Sequence, residues 1–298
     1  MWRVLEIAGD GYFLHVNNRN IFVEKDGEIA LPIAFADVNS IICHGKNLRF
    51  SESFLEGCLK NEIPLTFCDE KHIPLGILLP FYQHTDSLQR IEKQITAKLP
   101  KKKQAWQLII KAKINAQAKV LHYYGKQQAG LILKSMSDHV LSGDSSNLEA
   151  QAAKLYFTSL FGKNFIRADD DDSINILLNY GYSIIRSSVA RAVVSCGLYP
   201  GFGVFHSGRI NPFCLVDDLM EPLRPLADKK VFDIYKHNEN VKLTPPIKKD
   251  LISLATENMR YGKSSMELST STRKYVMEYL SFISGDSRHI TFPEIEDT

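Results

Sequence analysis

The segment INILLNYGYSIIRSSVARAVVSC, residues 174–196, decides the fold class of the larger part of this chain. Apolar residues occupy nearly every face of a helix drawn through it, which is typical of a central, buried helix. Five further segments suit helices by their length and apolar spacing, at residues 104–125, 147–161, 215–228, 247–261 and 269–284. The region from about residue 100 onward is therefore predicted to be a helical domain.

The first eighty residues show a different pattern, because short β-rich pieces alternate there with turn residues. Strands are predicted at residues 4–7, 12–16, 21–24, 29–31, 38–43, 65–68 and 77–79. Between them, Ser51 is placed to cap a short helix that runs to Asn61. This part of the chain is predicted to be a small β-rich domain that resembles a sandwich.

The predicted fold class is therefore α+β, with four parts along the chain. These are a β-rich, sandwich-like domain at residues 1–82, a linker at 83–100, a larger all-α catalytic domain at 101–284 and a flexible C-terminal tail at 285–298. Prolines at 74, 80 and 100 mark the linker. The tail is predicted from its many Asp, Glu, Ser and Thr residues.

The composition excludes several classes of protein. Hydrophobic residues make up 44% of the chain and charged residues 23%, as in soluble globular proteins. No apolar run approaches the roughly 20 residues that cross a bilayer, and the first six residues lack the features of a secretory signal. The 5 cysteines are odd in number and form no Cys-x-x-Cys pair, which argues against a disulfide framework. A cytoplasmic location without membrane contact is expected.

Basic residues are concentrated in the second part of the chain. Residues 98–137 include nine lysines and no Asp or Glu, whereas residues 1–80 carry more acidic than basic side chains. Such a tract can follow the phosphates of a nucleic acid; the alternative is a solvated helix face. On one helix, Lys111, Lys119 and Lys126 would share a sector of about 80°. The candidate DNA contacts of the tract are Lys101, Lys102, Lys103, Lys111, Lys119 and Lys126.

Two isolated residues could serve chemistry or structure. Glu149 stands three residues after Ser146, a spacing typical of a helix capping box, so it could be a cap or a ligand. His206 follows a glycine-containing stretch between two predicted helices. It could be a core histidine, although such loops often present functional side chains.

Acidic residues also cluster further along the chain. Asp217, Asp218 and Glu221 are expected to repel one another unless a cation compensates them. Arg224 is one candidate partner and a metal is the other; oxygen ligands with one imidazole suit Mn²⁺ or Mg²⁺ better than Zn²⁺. By contrast, the four aspartates at 169–172 are interpreted as a solvated loop that caps the helix at 174.

Four stretches taken in this order closely resemble the Cas-one family of CRISPR-associated endonucleases, the integrases that insert new spacers. They are residues 147–157, 178–192, 197–206 and 217–225. The resemblance covers the whole helical part, and the β-rich start is similar to the family's N-terminal domain. Many relatives have Asp where Glu221 stands here. The length and this Glu are most similar to versions from type II systems.

The resemblance implies a metal-dependent reaction. Glu149, His206 and Glu221 would coordinate Mg²⁺ or Mn²⁺ directly, and Asp218 would be a supporting acid. The metal would act on the scissile phosphate of the CRISPR repeat and help to activate a 3′-hydroxyl of the incoming DNA. That hydroxyl would insert the spacer by transesterification, and water at the same site would give nuclease activity.

The resemblance also implies partners. These are double-stranded DNA (protospacer and CRISPR repeat), a second copy in a homodimer, a Cas-two dimer that bridges two such dimers, and an effector nuclease as a further candidate. Arg186 and Arg191 lie on an otherwise apolar helix, where an unpaired charge is costly. They are hypothesised to pair with the carboxylates or to contact a phosphate of the DNA.

Three alternatives stay open at this point. A non-enzymatic DNA-binding scaffold of the same fold would share the basic tract and need no metal. A repair nuclease unrelated to CRISPR would use the same chemistry on other DNA. A helical protein whose acids are purely structural is what composition alone would suggest.

Overall fold

The computed structural model describes residues 3–30, 32–69, 74–80, 86–169, 171–208, 210–237 and 241–296. The chain divides into two units, residues 1–83 and 84–298. The strands of the first unit are β1 (Arg3–Ile7), β2 (Phe13–Asn17), β3 (Asn20–Lys25), β4 (Glu28–Ile29), β5 (Ile33–Ala34), β6 (Val38–Cys43), β7 (Arg49–Phe50), β8 (Leu65–Cys68) and β9 (Pro74–Leu78). The predicted strand at residues 29–31 ends at Ile29, and position 31 lies outside the described residues.

Two sheets form this unit. The first has the order β1-β6-β8-β9, with β1, β6 and β8 parallel and β9 antiparallel to β8. The second has the order β4-β3-β2-β7, and β5 also pairs with β3. β2 and β3 form a hairpin whose turn residues, Asn18 and Arg19, have φ of 48° and 63°. Positive φ at both central positions is typical of the tight turns that suit a twisted hairpin.

One core joins the two sheets to helix α1 (Glu52–Lys60). Leu14 and Ile21 come from one sheet, Ile41 comes from the other, and all are fully buried with Phe54 of the helix. Ser51 caps α1 as predicted, because its hydroxyl accepts a hydrogen bond of 3.2 Å from the Phe54 amide. The β-rich, two-sheet prediction for this unit is confirmed.

The second unit is mostly helical. Its helices are α2 (Ser87–Thr96), α3 (Leu99–Tyr123), α4 (Gln127–Asp138), α5 (Leu148–Phe161), α6 (Ser173–Ser195), α7 (Cys214–Met220), α8 (Arg224–Tyr235), α9 (Pro245–Ile252) and α10 (Leu268–Ser284). Its strands are β10 (Asn258–Tyr261), β11 (Ser264–Glu267) and β12 (Glu294–Ile295). In the part of the chain that the structure describes, no helix combines the length and apolarity needed to span a membrane. The predicted α+β class is confirmed.

α6 is the central helix that the sequence predicts, and most of its residues are buried. Asp172 caps it by accepting hydrogen bonds of 2.9 and 3.0 Å from the amides of Ile174 and Asn175. α6 packs against α7, α8 and α10. Its Tyr182 donates a hydrogen bond of 2.5 Å to the buried Asp228 of α8. Burial raises the pKa of Asp228 to about 6, although this hydrogen bond opposes the rise.

α3 lies beside the elements that carry the acidic candidates. It packs against α4 and α5, and also against the single 3₁₀ turn Glu221–Leu223 that joins α7 to α8. The predicted helix at 215–228 is therefore interrupted, because Pro222 and Pro225 have no amide hydrogen to continue a helical ladder. This arrangement brings residues distant in sequence to one side of α3.

The predicted linker needs correction. Residues 83–85 lie outside the described residues, but the rest of 83–100 contains α2 and the first residues of α3. Gln94 of α2 is buried and exchanges two hydrogen bonds with the backbone of Tyr199. Pro100 was interpreted as a linker residue, but it lies in the first turn of α3. Amide hydrogens of a first turn have no partner within the helix, so a proline there does not weaken it.

The predicted all-α domain and flexible tail also need correction. The helix expected at 247–261 ends at Ile252, and residues 258–261 instead form β10, which pairs with β11. Within the predicted tail, β12 pairs with β10, and Phe292 packs against Tyr275 with ring centroids 5.0 Å apart. Glu294 in this segment forms ion pairs with Lys119 and Arg260.

Candidate metal centre

Glu149 lies in the first turn of α5, but it does not cap that helix. Asp144 does so instead, because its two carboxylate oxygens accept hydrogen bonds of 2.9 and 3.0 Å from the amides of Leu148 and Glu149. Asn147, just before the helix, has a left-handed φ of 51°. The capping-box interpretation with Ser146 is therefore wrong. The side chain of Glu149 contacts Lys113 instead.

Glu221 is buried in the turn between α7 and α8. Its Oε1 accepts a hydrogen bond of 2.8 Å from Nε of Arg224, the partner expected from the sequence. Burial would raise the pKa of Glu221, but the charges of Arg224 and Lys113 outweigh burial and lower it to about 2. Glu221 is therefore ionised at neutral pH.

The two carboxylates meet at one buried cation, Lys113 of α3. Its Nζ lies 2.6 Å from Oε1 of Glu149 and 2.5 Å from Oε2 of Glu221. Burial would lower the pKa of Lys113, but the charges of Glu221 and Glu149 raise it instead, so the side chain stays charged. The sequence prediction missed this role, since Lys113 was grouped with the basic tract. One signal was present: Lys113 falls at helical spacing from Ile109, and therefore on the buried side of α3.

His206 lies on the loop between α6 and α7, and Asp218 of α7 holds that loop in place. Oδ2 of Asp218 accepts hydrogen bonds of 2.6, 2.8 and 3.3 Å from the amides of Val204, Phe205 and His206. Phe205 also stacks on Trp106 of α3, with ring centroids 4.6 Å apart and planes at 6°. The loop is therefore fixed although it has no regular secondary structure.

Asp218 also orients the imidazole. Oδ1 of Asp218 lies 2.5 Å from Nδ1 of His206, and because an ionised carboxylate only accepts, Nδ1 is the donor. In neutral His206 the free electron pair is then on Nε2, the arrangement usual for a histidine that binds a metal. The same hydrogen bond raises the pKa of His206, and the charges of Glu221 and Glu149 add to the rise. The imidazole is half exposed.

The turn before His206 requires glycine. A Cβ added to Gly203 would lie 2.1 Å from the His206 carbonyl oxygen and 2.9 Å from Oδ2 of Asp218. Both distances are shorter than any normal contact, so a side chain at 203 would displace the loop. The glycine-containing stretch noted in the sequence is thus part of how the histidine is positioned.

The residues fit a hard divalent cation. Glu149 and Glu221 supply oxygens, His206 supplies one nitrogen, and this donor set suits Mg²⁺ or Mn²⁺. Oε2 of Glu221 is buried, and its contact at 2.5 Å is with Nζ of Lys113. Within the described ranges, however, no three His, Cys, Asp or Glu side chains already stand close enough to form a metal cluster. Metal binding stays a prediction.

Three lysines of the basic tract are engaged within the chain. Lys111 lies 3.5 Å from the last carbonyl of α4, Lys119 lies 2.5 Å from the Glu294 carboxylate, and Lys126 donates to a carbonyl of α5. α3 ends at Tyr123, so Lys126 cannot share a helical sector with the other two. The alignment of all three on one helix is therefore wrong. Their contact with DNA stays a prediction.

The other three lysines occupy the first turns of α3. Nζ of Lys101 lies 4.5 Å from the centre of the Phe282 ring, Lys102 is half-buried and Lys103 is exposed. Lys103 is thus sterically free to meet a phosphate.

The two arginines of α6 differ. Arg186 makes the expected carboxylate pair: Nε and Nη2 donate to the two oxygens of Asp217 at 2.6 and 3.0 Å. Asn211 donates to the same carboxylate at 2.7 Å, so both oxygens of Asp217 are engaged by Arg186 and Asn211. Arg191 is half-buried. A phosphate contact for either arginine stays a prediction.

Comparison with known proteins identifies the family. The family model described as CRISPR associated protein Cas1 matches residues 5–244. The chain is 34% identical over 296 residues to the CRISPR-associated endonuclease Cas1 of Neisseria meningitidis serogroup C (strain 8013), covering 99% of this chain and 96% of that protein. These matches confirm the resemblance that the four motifs carry.

Solved structures share the fold at lower identity. A casposase bound to integration product superposes with a TM-score of 0.83 at 19% identity, covering 99% of this chain and 94% of that one. A chain of a Cas6-RT-Cas1–Cas2 complex gives a TM-score of 0.76 at 20% identity, covering 98% of this chain and 36% of that one. Motifs, family model and full-length relative agree: the chain belongs to the Cas1 family of CRISPR-associated endonucleases and integrases.

Proposed function

We propose that this chain is a metal-dependent DNA endonuclease and integrase that inserts spacer DNA into a CRISPR array. One observation carries the proposal. Glu149 and Glu221 come from separate elements, both contact the ammonium of Lys113, and their charges act on a histidine whose Nδ1 is hydrogen-bonded to a buried carboxylate. Such a convergence of buried charge is difficult to explain by stability alone, because buried ion pairs seldom gain much over apolar packing.

The cofactor in this proposal is Mg²⁺ or Mn²⁺. Glu149 and Glu221 would supply carboxylate oxygens and His206 would supply Nε2. When bound, the ion would supply Lewis-acid stabilisation of the charge on the scissile phosphate. Arg224 keeps one oxygen of Glu221 in place and leaves the other directed at the cation position. Asp218 keeps the imidazole in the tautomer that can bind.

The reaction exchanges one phosphodiester for another. The 3′-hydroxyl of the incoming DNA forms a bond to a phosphorus of the repeat, and the bond from that phosphorus to its own 3′ oxygen breaks. The attacking hydroxyl loses a proton and the departing oxygen gains one, so atoms balance and no external energy source is required. The chain's part is to hold the phosphate beside fixed carboxylates; water in place of the 3′-hydroxyl gives cleavage instead.

The proposed partners are double-stranded DNA (protospacer and repeat), a second copy of this chain and a Cas2 dimer that bridges two Cas1 dimers. The fold shared with a casposase bound to integration product and with a chain of a complex that contains Cas2 supports DNA and Cas2 as partners. The effector nuclease is a further candidate. The proposed DNA contacts are Lys101, Lys102, Lys103, Lys111, Lys119, Lys126, Arg186 and Arg191.

A strand-transfer assay tests the proposal. Purified protein, with and without Cas2, is mixed with a short duplex bearing free 3′-hydroxyls and a supercoiled plasmid carrying a CRISPR repeat, in Mn²⁺, Mg²⁺ or EDTA. We expect joining that needs metal and is lost in His206→Ala. The matched control is His139→Ala, because His139 is an exposed histidine whose imidazole lies 2.8 Å from the Ser135 carbonyl, on helix α4 and outside the candidate site.

Each alternative has its own outcome. Tight DNA binding without joining or cleavage in any metal would favour the non-enzymatic scaffold. Metal-dependent cleavage that is equal on plasmids with and without a repeat, and is never followed by joining, would favour a repair nuclease.

A further inference from the structure

Lys113 occupies the space between the two carboxylates that are proposed to bind the metal. Its Nζ is 2.6 Å from Glu149 and 2.5 Å from Glu221, and only 11% of its side chain is exposed. Arg224 also contacts Glu221, but through the other oxygen. Lys113 is thus the cation that joins α3 to both acidic elements.

The ammonium group of Lys113 reduces the electrostatic repulsion between Glu149 and Glu221 when no metal is bound. Two carboxylates whose oxygens both lie within 2.6 Å of one nitrogen would repel strongly in a buried place without a cation between them. Lys113 compensates that repulsion and keeps Glu149 and Glu221 facing each other. The positions of the two carboxylates are therefore set by the ammonium group.

The same position would be required by the divalent ion. Bonds from Mg²⁺ to carboxylate oxygens are about 2.0–2.1 Å long, somewhat shorter than the 2.6 and 2.5 Å that separate Nζ of Lys113 from Glu149 and Glu221. An ion held by both carboxylates would therefore need the space that Nζ takes up. The two cations cannot be present together between these carboxylates, for reasons of both space and charge.

We propose that Lys113 is an internal counter-ion that occupies the metal position in the metal-free protein and is displaced when the metal binds. This rests on the metal site of the proposed function and adds a competition to it. Without metal, Lys113 stabilises the two carboxylates. For the same reason, it lowers the affinity of the site for the metal. The metal must therefore exchange with a tethered ammonium, not with water alone.

Metal titration of two variants tests the competition. Full-length wild type, Lys113→Met and Lys111→Met are titrated with Mn²⁺ in calorimetry after removal of metal with EDTA. Lys111 is the matched control, since it lies on the same helix with its Nζ at a surface carbonyl. We expect Lys113→Met to bind Mn²⁺ about tenfold more tightly or better, because loss of one partner of a buried ion pair is a strong perturbation. Lys111→Met should match wild type.

Thermal unfolding supplies a readout that does not depend on activity. In EDTA, Lys113→Met should unfold at a lower temperature than wild type, because the carboxylates lose their cation. In Mn²⁺ its unfolding temperature should rise by more than that of wild type. Equal or weaker Mn²⁺ binding by Lys113→Met would overturn the competition and make Lys113 a permanent partner of the carboxylates.

The failure of the metal site itself has a different signature, since neither wild type nor Lys113→Met would then bind Mn²⁺, and both proposals would fall together.

If Lys113→Met does not fold, a labelling experiment on the wild-type protein tests the competition instead. Acetic anhydride labels accessible lysines, and mass spectrometry compares Lys113 with Lys111 in EDTA and in saturating Mg²⁺. Displacement predicts a several-fold rise in labelling of Lys113 with Mg²⁺, whereas unchanged labelling overturns the proposal.

Discussion

Replacing Asp218 by asparagine should damage metal binding far more than folding. The Asp218 side chain is fully buried and accepts from three backbone amides and from Nδ1 of His206. In Asp218→Asn, the amide oxygen can still accept from the loop amides. The amide nitrogen would then face Nδ1 of His206, and because it is a donor, Nδ1 must become the acceptor. The imidazole proton moves to Nε2, where it blocks the electron pair that a metal needs.

The sizes of the two effects differ. Hydrogen bonds to a charged group contribute about 1.5–3 kcal/mol each, but most of those to Asp218 are weakened and not lost, so we expect unfolding free energy to fall by about 1–3 kcal/mol. Loss of the acceptor that orients a metal-binding histidine typically lowers metal affinity by about 10–100-fold. Strand transfer at limiting Mn²⁺ should fall in the same proportion.

The assay is Mn²⁺ titration by calorimetry beside urea denaturation in EDTA. Asp217→Asn is the control, since Asp217 is the adjacent acid and contacts Arg186 and Asn211 but not His206. Asp217→Asn should keep wild-type affinity for Mn²⁺. Wild-type affinity in Asp218→Asn would refute the reasoning, because it would show that the tautomer of His206 does not govern the metal.

Three further predictions follow from other parts of the helical unit. The pKa of buried Asp228 is raised to about 6, above its unfolded value, so its stabilising contribution is complete below about pH 4 and lost as pH rises through 6. Urea denaturation should show unfolding free energy falling by up to about 3 kcal/mol over that range, and Asp228→Asn should flatten the dependence. Glu294→Gln removes the carboxylate that pairs with Lys119, a proposed DNA contact, and should tighten DNA binding about two- to fivefold at low salt in fluorescence anisotropy, with a steeper salt dependence; Glu296→Gln should not. Gly203→Ala should lower unfolding free energy by about 1–3 kcal/mol and weaken Mn²⁺ binding in the same calorimetric titration, whereas Gly208→Ala, whose added Cβ would meet nothing nearer than 3.9 Å, should do neither.

Local signals predicted a large share of this structure. α6 is recognisable because its sequence is apolar on nearly every face, and its cap, Asp172, is adjacent in sequence. Apart from the pair of Arg186 with Asp217, the caps and ion pairs that were predicted correctly join residues two or three positions apart, such as Ser51 to Phe54 and Glu221 to Arg224. In these cases the two interacting residues are close together in the sequence, so the local pattern contains both of them.

Three of the errors concern contacts between distant positions. Lys113 lies 36 residues from Glu149, and nothing near it in sequence shows that acids surround it. Gln94 of the supposed linker is held by Tyr199, 105 residues away. Glu294 of the supposed tail contacts Lys119 across 175 residues. Polar composition predicted exposure in each case, but a partner from elsewhere in the fold makes burial or order favourable.

The loop that carries His206 has a consequence for how such sequences can change over evolutionary time. Its shape is specified by a side chain on a neighbouring helix, Asp218, and by the lack of one at Gly203. A side chain at 203 would collide with the backbone of the loop itself as well as with the carboxylate, so no change at 218 makes room for it. A residue at 218 that has no acceptor would leave the loop amides unpaired. Glycine at 203 and a hydrogen-bond acceptor at 218 should therefore each be retained among descendants for a separate reason.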